Sequence, residues 1–362
     1  MAISVSPNGR NHYETESPSN EVLVATIDGI VSLTRSRPGA AWGETGRTLA
    51  GKHIASIAIE PRSGAILAGV HSGGLWASLD SGKTWARRDK GIEFDNIYGL
   101  NFVLAGDELR LYAGTDPAHI YVSKNLGENW TELPSLRDVP GVEKWTFPAP
   151  PHYGHVKNIE FDPRDPDTIY VAVEVGGAYK STDAGKTWRQ MENVYEDVHR
   201  LMVAPSRPDN VYIATGKDLY HSADAGDTWQ TLPLPEQRIG YPDALILLPE
   251  QPDLIFTAGG RLNPGQWRTS HDADSAIARS RDAGRTWEYL EDGLPSHLRG
   301  NIEAVTVNTC PDGFSLFAAT TDGDVFASEN GGDRWTTIAE QLPPISKTGH
   351  YMPLRPDLVG AR

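Results

Sequence analysis

The chain has 362 residues, with 33 Lys and Arg against 48 Asp and Glu and a net charge of −15. An acidic surface excludes the counterion-releasing grip on phosphates that nucleic-acid binding needs, and it disfavours anionic membranes equally. No run approaches the roughly 20 apolar residues of a membrane helix, and Cys310 alone cannot form an intrachain disulfide.

The first 20 residues show no basic start followed by an apolar run, so they read as an N-terminal extension rather than a secretory signal, and a cytoplasmic location is expected. EVLVATIDGIVSLTRS (21–36) then reads as two strands joined by a turn. From there a unit recurs. An alternating strand opens it, as in IASIAIEP (54–61), VKNIEFDP (156–163), VHRLMVAP (198–205) and PDALILLP (242–249). A second strand follows, as in AILAGV (65–70), TIYVAVE (168–174), NVYIATG (210–216) and SLFAATT (315–321). A third strand enters an octapeptide and a fourth leaves it. The octapeptides are SLDSGKTW (78–85), SKNLGENW (123–130), STDAGKTW (181–188), SADAGDTW (222–229), SRDAGRTW (280–287) and SENGGDRW (328–335). Their Asp or Asn can accept backbone N–H bonds across a tight turn, the Gly supplies a positive φ, and the Trp folds back over the turn.

These octapeptides match the Asp-box, or BNR repeat, and each full unit resembles a blade of a BNR-type β-propeller. The resemblance spans about residues 21–356. It implies an all-β chain forming a single propeller domain over 1–362, with seven four-stranded blades, six or eight being the alternatives. The 21–36 blade lacks an innermost strand. GHYMPLRP (349–356) is expected to supply it and close the ring, with AISVSP (2–7) as the rival. In the families concerned, the boxes lie on the face opposite the ligand. Those families include sialidases, xyloglucanase-like glycosidases, sortilin-type receptors and a photosystem II assembly factor, so the resemblance leaves enzyme and scaffold both open.

Two units are longer than the rest, through 133–155 and 259–276. Both insertions fall on connections opposite the boxes, where repeat proteins carry their binding loops. Trp145, Trp267 and Arg268 are candidates there for contacts with a substrate. Aligning the innermost strands on their apolar centre places Ala55, Tyr98, Lys157, His199, Asp243, Glu303 and His350 two residues earlier, six of the seven polar. His53, Asn96, His155, Asp197, Tyr241, Asn301 and Thr348 precede those by two more. His71, Asp116, Glu174 and Arg261 end second strands, one tier further out. Ionisable groups crowded at a channel mouth shift one another's protonation, the setting acid–base chemistry needs.

The expected site is therefore a small-molecule pocket at that mouth, covered by the two insertions. Tyr98, Lys157, His199, Asp243, Glu303 and His350 are the catalytic candidates, and His71, His155 and Glu174 line the substrate. A hydrolase or lyase acting on a polar, carbohydrate-like or carboxylated small molecule fits this set: Asp243, Glu303 or His199 as base, Lys157 or Tyr98 against developing negative charge. A divalent metal held by His71, His155, His199 and His350, with Glu174 or Glu303, is an alternative. No nucleotide cofactor is expected, since GxxxxGK[ST] and GxGxxG are missing. A sialidase is disfavoured, because no arginine triad can be mapped. The rival class is a non-catalytic scaffold using the same face for a protein partner.

Overall fold

The structure is a computed structural model that describes residues 1–234 and 238–359. Seven sheets form the blades of a β-propeller. The innermost strands of blades 1 to 7 are Ile3–Val5, Ile54–Ile59, Asn96–Ala105, His155–Asp162, Val198–Val203, Tyr241–Leu247 and Ile302–Cys310. Three further strands follow in each blade, every pairing antiparallel except that of the innermost strand of blade 1, as β-branched and aromatic alternation predicts. The apolar core lies between neighbouring blades. Phe256, Val305, Phe326 and Trp335 fill one such seam, between blades 6 and 7, and each buried side chain of this size is worth about 1.5–3 kcal/mol.

All six octapeptides build the same turn. In blade 4, Ser181 Oγ accepts from Gly185 N (2.8 Å) and donates to Asp183 Oδ1 (2.8 Å), while Asp183 also accepts from Thr187 N (2.9 Å) and Thr187 Oγ1 (2.7 Å). The box carboxylates are thus committed to the turn. The positive φ is shared: Ala184 (59°) adopts it as well as Gly185 (81°).

Ring closure differs from expectation. Residues 349–356 form no strand; Tyr351–Leu354 is a single helical turn, because Met352-Pro353 cannot extend a ladder and the segment is held over the channel instead. Ile3–Val5 fills the blade 1 slot, pairing parallel with Glu21–Thr26 (Ile3 opposite Val22). The residues read as an extension therefore belong to the ring. They continue through the channel, where Asn8 N donates to Ala55 O (3.2 Å) and Arg10 N to Ile57 O (3.1 Å). His12–Glu14 then runs parallel to the innermost strand of blade 7, with His12 opposite Val307. The N-terminal segment thus fills the channel from the Asp-box side.

The two insertions and the C-terminal segment gather at the other end. Residues 259–276 carry the helix Pro264–Ser270, started by a capping box between Asn263 and Gln266. Residues 133–155 carry two 3-10 turns, Pro134–Asp138 and Val142–Lys144. Leu354 packs with Tyr241, Trp267 and Ala273, tying the C-terminal turn to the second insertion.

Candidate functional site

A repeated backbone irregularity aims the central side chains. In blades 2 to 7 the innermost strand carries a bulge, and the residue skipped by the pairing register is Ala55, Tyr98, Lys157, His199, Asp243 or Glu303. A bulge leaves one residue outside the ladder and re-aims its side chain. Here five of the six point chemistry into the channel.

Glu174, at the end of the second strand of blade 4, is the hub rather than an outer-tier residue. Its Oε2 accepts from His155 Nε2 (2.7 Å) and Tyr98 OH (3.4 Å), and its Oε1 from Lys157 Nζ (3.1 Å). Lys157 Nζ also lies 3.7 Å from Asp243 Oδ1. Asp243 accepts from Asn301 Nδ2 (2.7 Å) and from the ammonium of Lys347, which descends from the C-terminal segment. Glu303 accepts from His350 Nδ1 (2.9 Å) and from Lys347 N (2.9 Å). His199 Nδ1 donates to Pro242 O (2.7 Å).

The mouth is closed. Lys157, Glu174, His199, Asp243, Glu303 and Lys347 are each at most 3% exposed. The C-terminal segment does the covering: His53 Nε2 donates to Ser346 O (2.7 Å), and Tyr351 sits against His53. His350 joins the cluster from this segment instead of from an innermost strand. Trp267 is fully buried against Tyr241 and His350, and Trp145 packs on Tyr179, so both tryptophans serve as packing. Arg268 is exposed on its helix. The more accessible edge lies by blades 2 to 4, where His71 and Asp116 are half-buried and Asn96 Nδ2 donates to Asp116 Oδ2 (3.0 Å).

Burial and charge compete throughout. Burial pushes Glu174 up, but Lys157, Lys347 and the His155 bond outweigh it and hold the carboxyl well below its usual range. Asp243 is likewise held down, burial losing to Lys347 and His199, and so is Glu303, burial losing to His350 and Lys347. Burial lowers Lys157 to about 8 against the pull of Glu174, and the neighbouring charge of Lys347 adds to that fall. Asp116 goes the other way: burial raises it despite His155 and His71, and Glu174 raises it further.

Two triads of metal-ligating side chains occur among the described residues, Glu174–Asp197–His199 and Asp243–Glu303–His350, their ligand atoms within 4.8 Å of one another. The four-histidine set expected from sequence is not assembled. His199 and His350 fall in different triads, His155 is bonded to Glu174, and His71 pairs its ring with His53 at 5.1 Å.

Six Asp-box turns on a seven-bladed ring decide the class. The chain is an Asp-box, or BNR-type, β-propeller. The sequence profile of the sortilin, neurotensin receptor 3 family matches residues 176–298 of this propeller. A xyloglucanase of Paenibacillus sp is 26% identical over 232 residues, covering 52% of this chain and 21% of that enzyme. Xyloglucanase Xgh74A of Acetivibrio thermocellus is 27% identical over 161 residues, covering 38% and 18%. The propeller therefore spans about a fifth of the length of the curated relatives it matches. Among solved structures, an ancestral GH74 enzyme superposes with TM-score 0.62 at 14% identity, over 85% of this chain and 40% of that one. YCF48 from Cyanidioschyzon merolae gives 0.54 at 15% identity over 85% and 95%, and a YCF48 bound to a peptide gives 0.51 at 15% over 92% and 90%.

Sequence reasoning missed Lys347 as a member of this propeller's cluster. Treating 349–356 as a strand put residues 348 and 350 inward and turned 347 away; the polar run Ser346-Lys347-Thr348 in an otherwise apolar region was the available signal.

Proposed function

We propose that this Asp-box propeller is a hydrolase-type enzyme acting on a polar small molecule at the blade 2–4 edge of the buried cluster. One observation carries the reading: Asp116 and Glu174 end the second strands of adjacent blades, and their surroundings push their protonation in opposite directions. Carboxyl groups driven apart in this way divide the roles of acid and base. Asp116, half-buried and held toward its protonated form, donates a proton to the leaving group. Glu174 stays ionised and, through His155, takes the proton of the attacking water. Lys157 and Tyr98, both buried, donate to the same carboxylate and support its ionised form. The xyloglucanase relatives, themselves hydrolases by name, favour a carbohydrate-like substrate. The same acid and base also serve an elimination, so a lyase belongs to this reading.

The test is a thermal-shift and turnover panel of xyloglucan oligosaccharides, aryl glycosides and polar carboxylates on wild type, Asp116→Asn and Glu174→Gln. The reading requires a compound that stabilises wild type and is turned over, with turnover falling at least 100-fold in both variants. A panel without response, alongside a stoichiometric protein partner that both variants still capture, establishes the second reading. That reading is a scaffold, and the observation favouring it is that the chain's own Lys347 fills the mouth, leaving the outer face for a partner such as the peptide seen on YCF48.

A further inference from the structure

We infer that Glu174, Asp197 and His199 form a binding site for one divalent transition-metal ion, a site that shares Glu174 with the hydrolase reading but does not require that reaction. His199 is fully buried, and its Nδ1 donates to Pro242 O at 2.7 Å. That bond puts a proton on Nδ1 and turns Nε2 inward, the arrangement by which a backbone carbonyl orients a metal-binding imidazole. Nε2 makes no hydrogen bond. Its nearest neighbours are carboxylate oxygens, Asp197 Oδ1 at 3.4 Å and Glu174 Oε1 at 4.0 Å. A lone pair facing two acceptors is repulsive until a cation stands between them. With metal–ligand bonds of about 2.1 Å, the edges of a tetrahedral site are about 3.4 Å, a length the His199–Asp197 edge already has and the His199–Glu174 edge, at 4.0 Å, exceeds.

Three further features fit. The backbones of Glu174 and Asp197 are bridged to one another, which holds the two carboxylates together. Gly216 leaves the space that the Asp197 carboxylate occupies, since a Cβ there would collide with it. The charge balance also leaves room for an ion: four carboxylates (Glu174, Asp197, Asp243, Glu303) meet two ammonium groups (Lys157, Lys347), and the remaining negative charge falls to the imidazoles of His155, His199 and His350 or to a divalent cation. Each triad already meets an ammonium, Lys347 on Asp243 and Lys157 on Glu174 Oε1 at 3.1 Å, so the ion would share Glu174 with Lys157. Asp197, whose side chain is 21% exposed, gives an ion a way in. One imidazole and two carboxylates suit zinc, iron or manganese better than the all-oxygen sets of calcium and magnesium.

The experiment is calorimetric titration of the chelator-treated full chain with zinc chloride, repeated with cobalt chloride and followed by visible absorption. The expected result is one ion per chain and a cobalt spectrum carrying ligand-field bands, with affinity weakened at least 10-fold in Asp197→Asn and Gly216→Ala and lost in His199→Gln. Far-UV circular dichroism checks the fold; if His199→Gln does not fold, the other two variants decide. No uptake by wild type, or unchanged uptake by folded Asp197→Asn, overturns the site. In that outcome His199 is an imidazolium neutralising Asp197.

Discussion

Lys347 places its ammonium on the carboxylate of Asp243, 104 residues earlier in the chain, with both side chains only 1% exposed. The pair joins the irregular C-terminal segment to the innermost strand of blade 6 and closes the channel over Lys157 and Glu174. Taking one partner from a buried ion pair leaves the other desolvated and uncompensated. Lys347→Ala is expected to lower unfolding stability by about 3–5 kcal/mol, measured by urea denaturation. Lys347→Ala combined with Asp243→Asn should recover part of that loss. A double variant as unstable as the sum of the singles would show that the pair is not coupled.

Acid should unfold the protein through this centre. Glu174, Asp243 and Glu303 have folded pKa values below their unfolded ones, because lysine and histidine partners outweigh burial. Their stabilisation is complete above the unfolded values near about 4 and disappears as pH falls through the lower folded values. Melting temperature is expected to hold from pH 7 to 5 and drop steeply below about 4, with a shallower drop in Asp243→Asn.

Lys157 carries the opposite dependence. Burial holds its folded pKa at about 8 against the usual lysine value of 10.5, so the charged form is disfavoured in the fold. That penalty is complete below the folded pKa and is relieved as pH rises from about 8 towards 10.5, so this group alone adds stability with pH over that window. Lys157→Met should flatten the difference in stability between pH 7.5 and 9.5, followed by chemical denaturation at each pH.

Ser181 is nearly fully buried and its hydroxyl bridges Gly185 N and Asp183 in the blade 4 turn. Ser181→Ala should cost about 1 kcal/mol and leave ligand and metal binding unchanged, because the turn lies at the far end of the blade from the cluster. A loss of binding at unchanged fold would place the boxes in the site.

Removing residues 1–11 should have a far larger effect. It takes away the innermost strand of blade 1 and the carbonyl of Pro7 that accepts from buried Arg200. The exposed strand edge and the unpaired guanidinium predict a chain that melts at least 10 °C lower and aggregates in size-exclusion chromatography.

What the sequence disclosed follows the range of the interactions involved. The Asp-boxes were legible because each turn is built within eight residues, Ser and Asp bonding N–H groups four positions on. The polar residue at Lys157, His199, Asp243 and Glu303 stood out because a bulge needs no partner residue to be recognised, only an inward polar side chain in an apolar strand. Glu174 was misplaced by a tier, since a strand-end alignment cannot show how far a long side chain reaches. Ring closure was misjudged because the contest between Ile3–Val5 and 349–356 is settled by a three-residue parallel pairing and by Pro353, neither of which leaves a periodic trace. Lys347 was hidden for a related reason: it lies outside any strand, and its partner is on a distant blade.

The separation between Asp243 and Lys347 also sets an order of events during synthesis. Asp243 leaves the ribosome 104 residues before the lysine that neutralises it. All seven blades are complete at Ala339, so a chain stalled just short of residue 347 has its whole ring but a buried Asp243 without the ammonium of Lys347. Such chains are expected to be cut faster by protease than the full chain, because a buried carboxylate stripped of its partner is uncompensated.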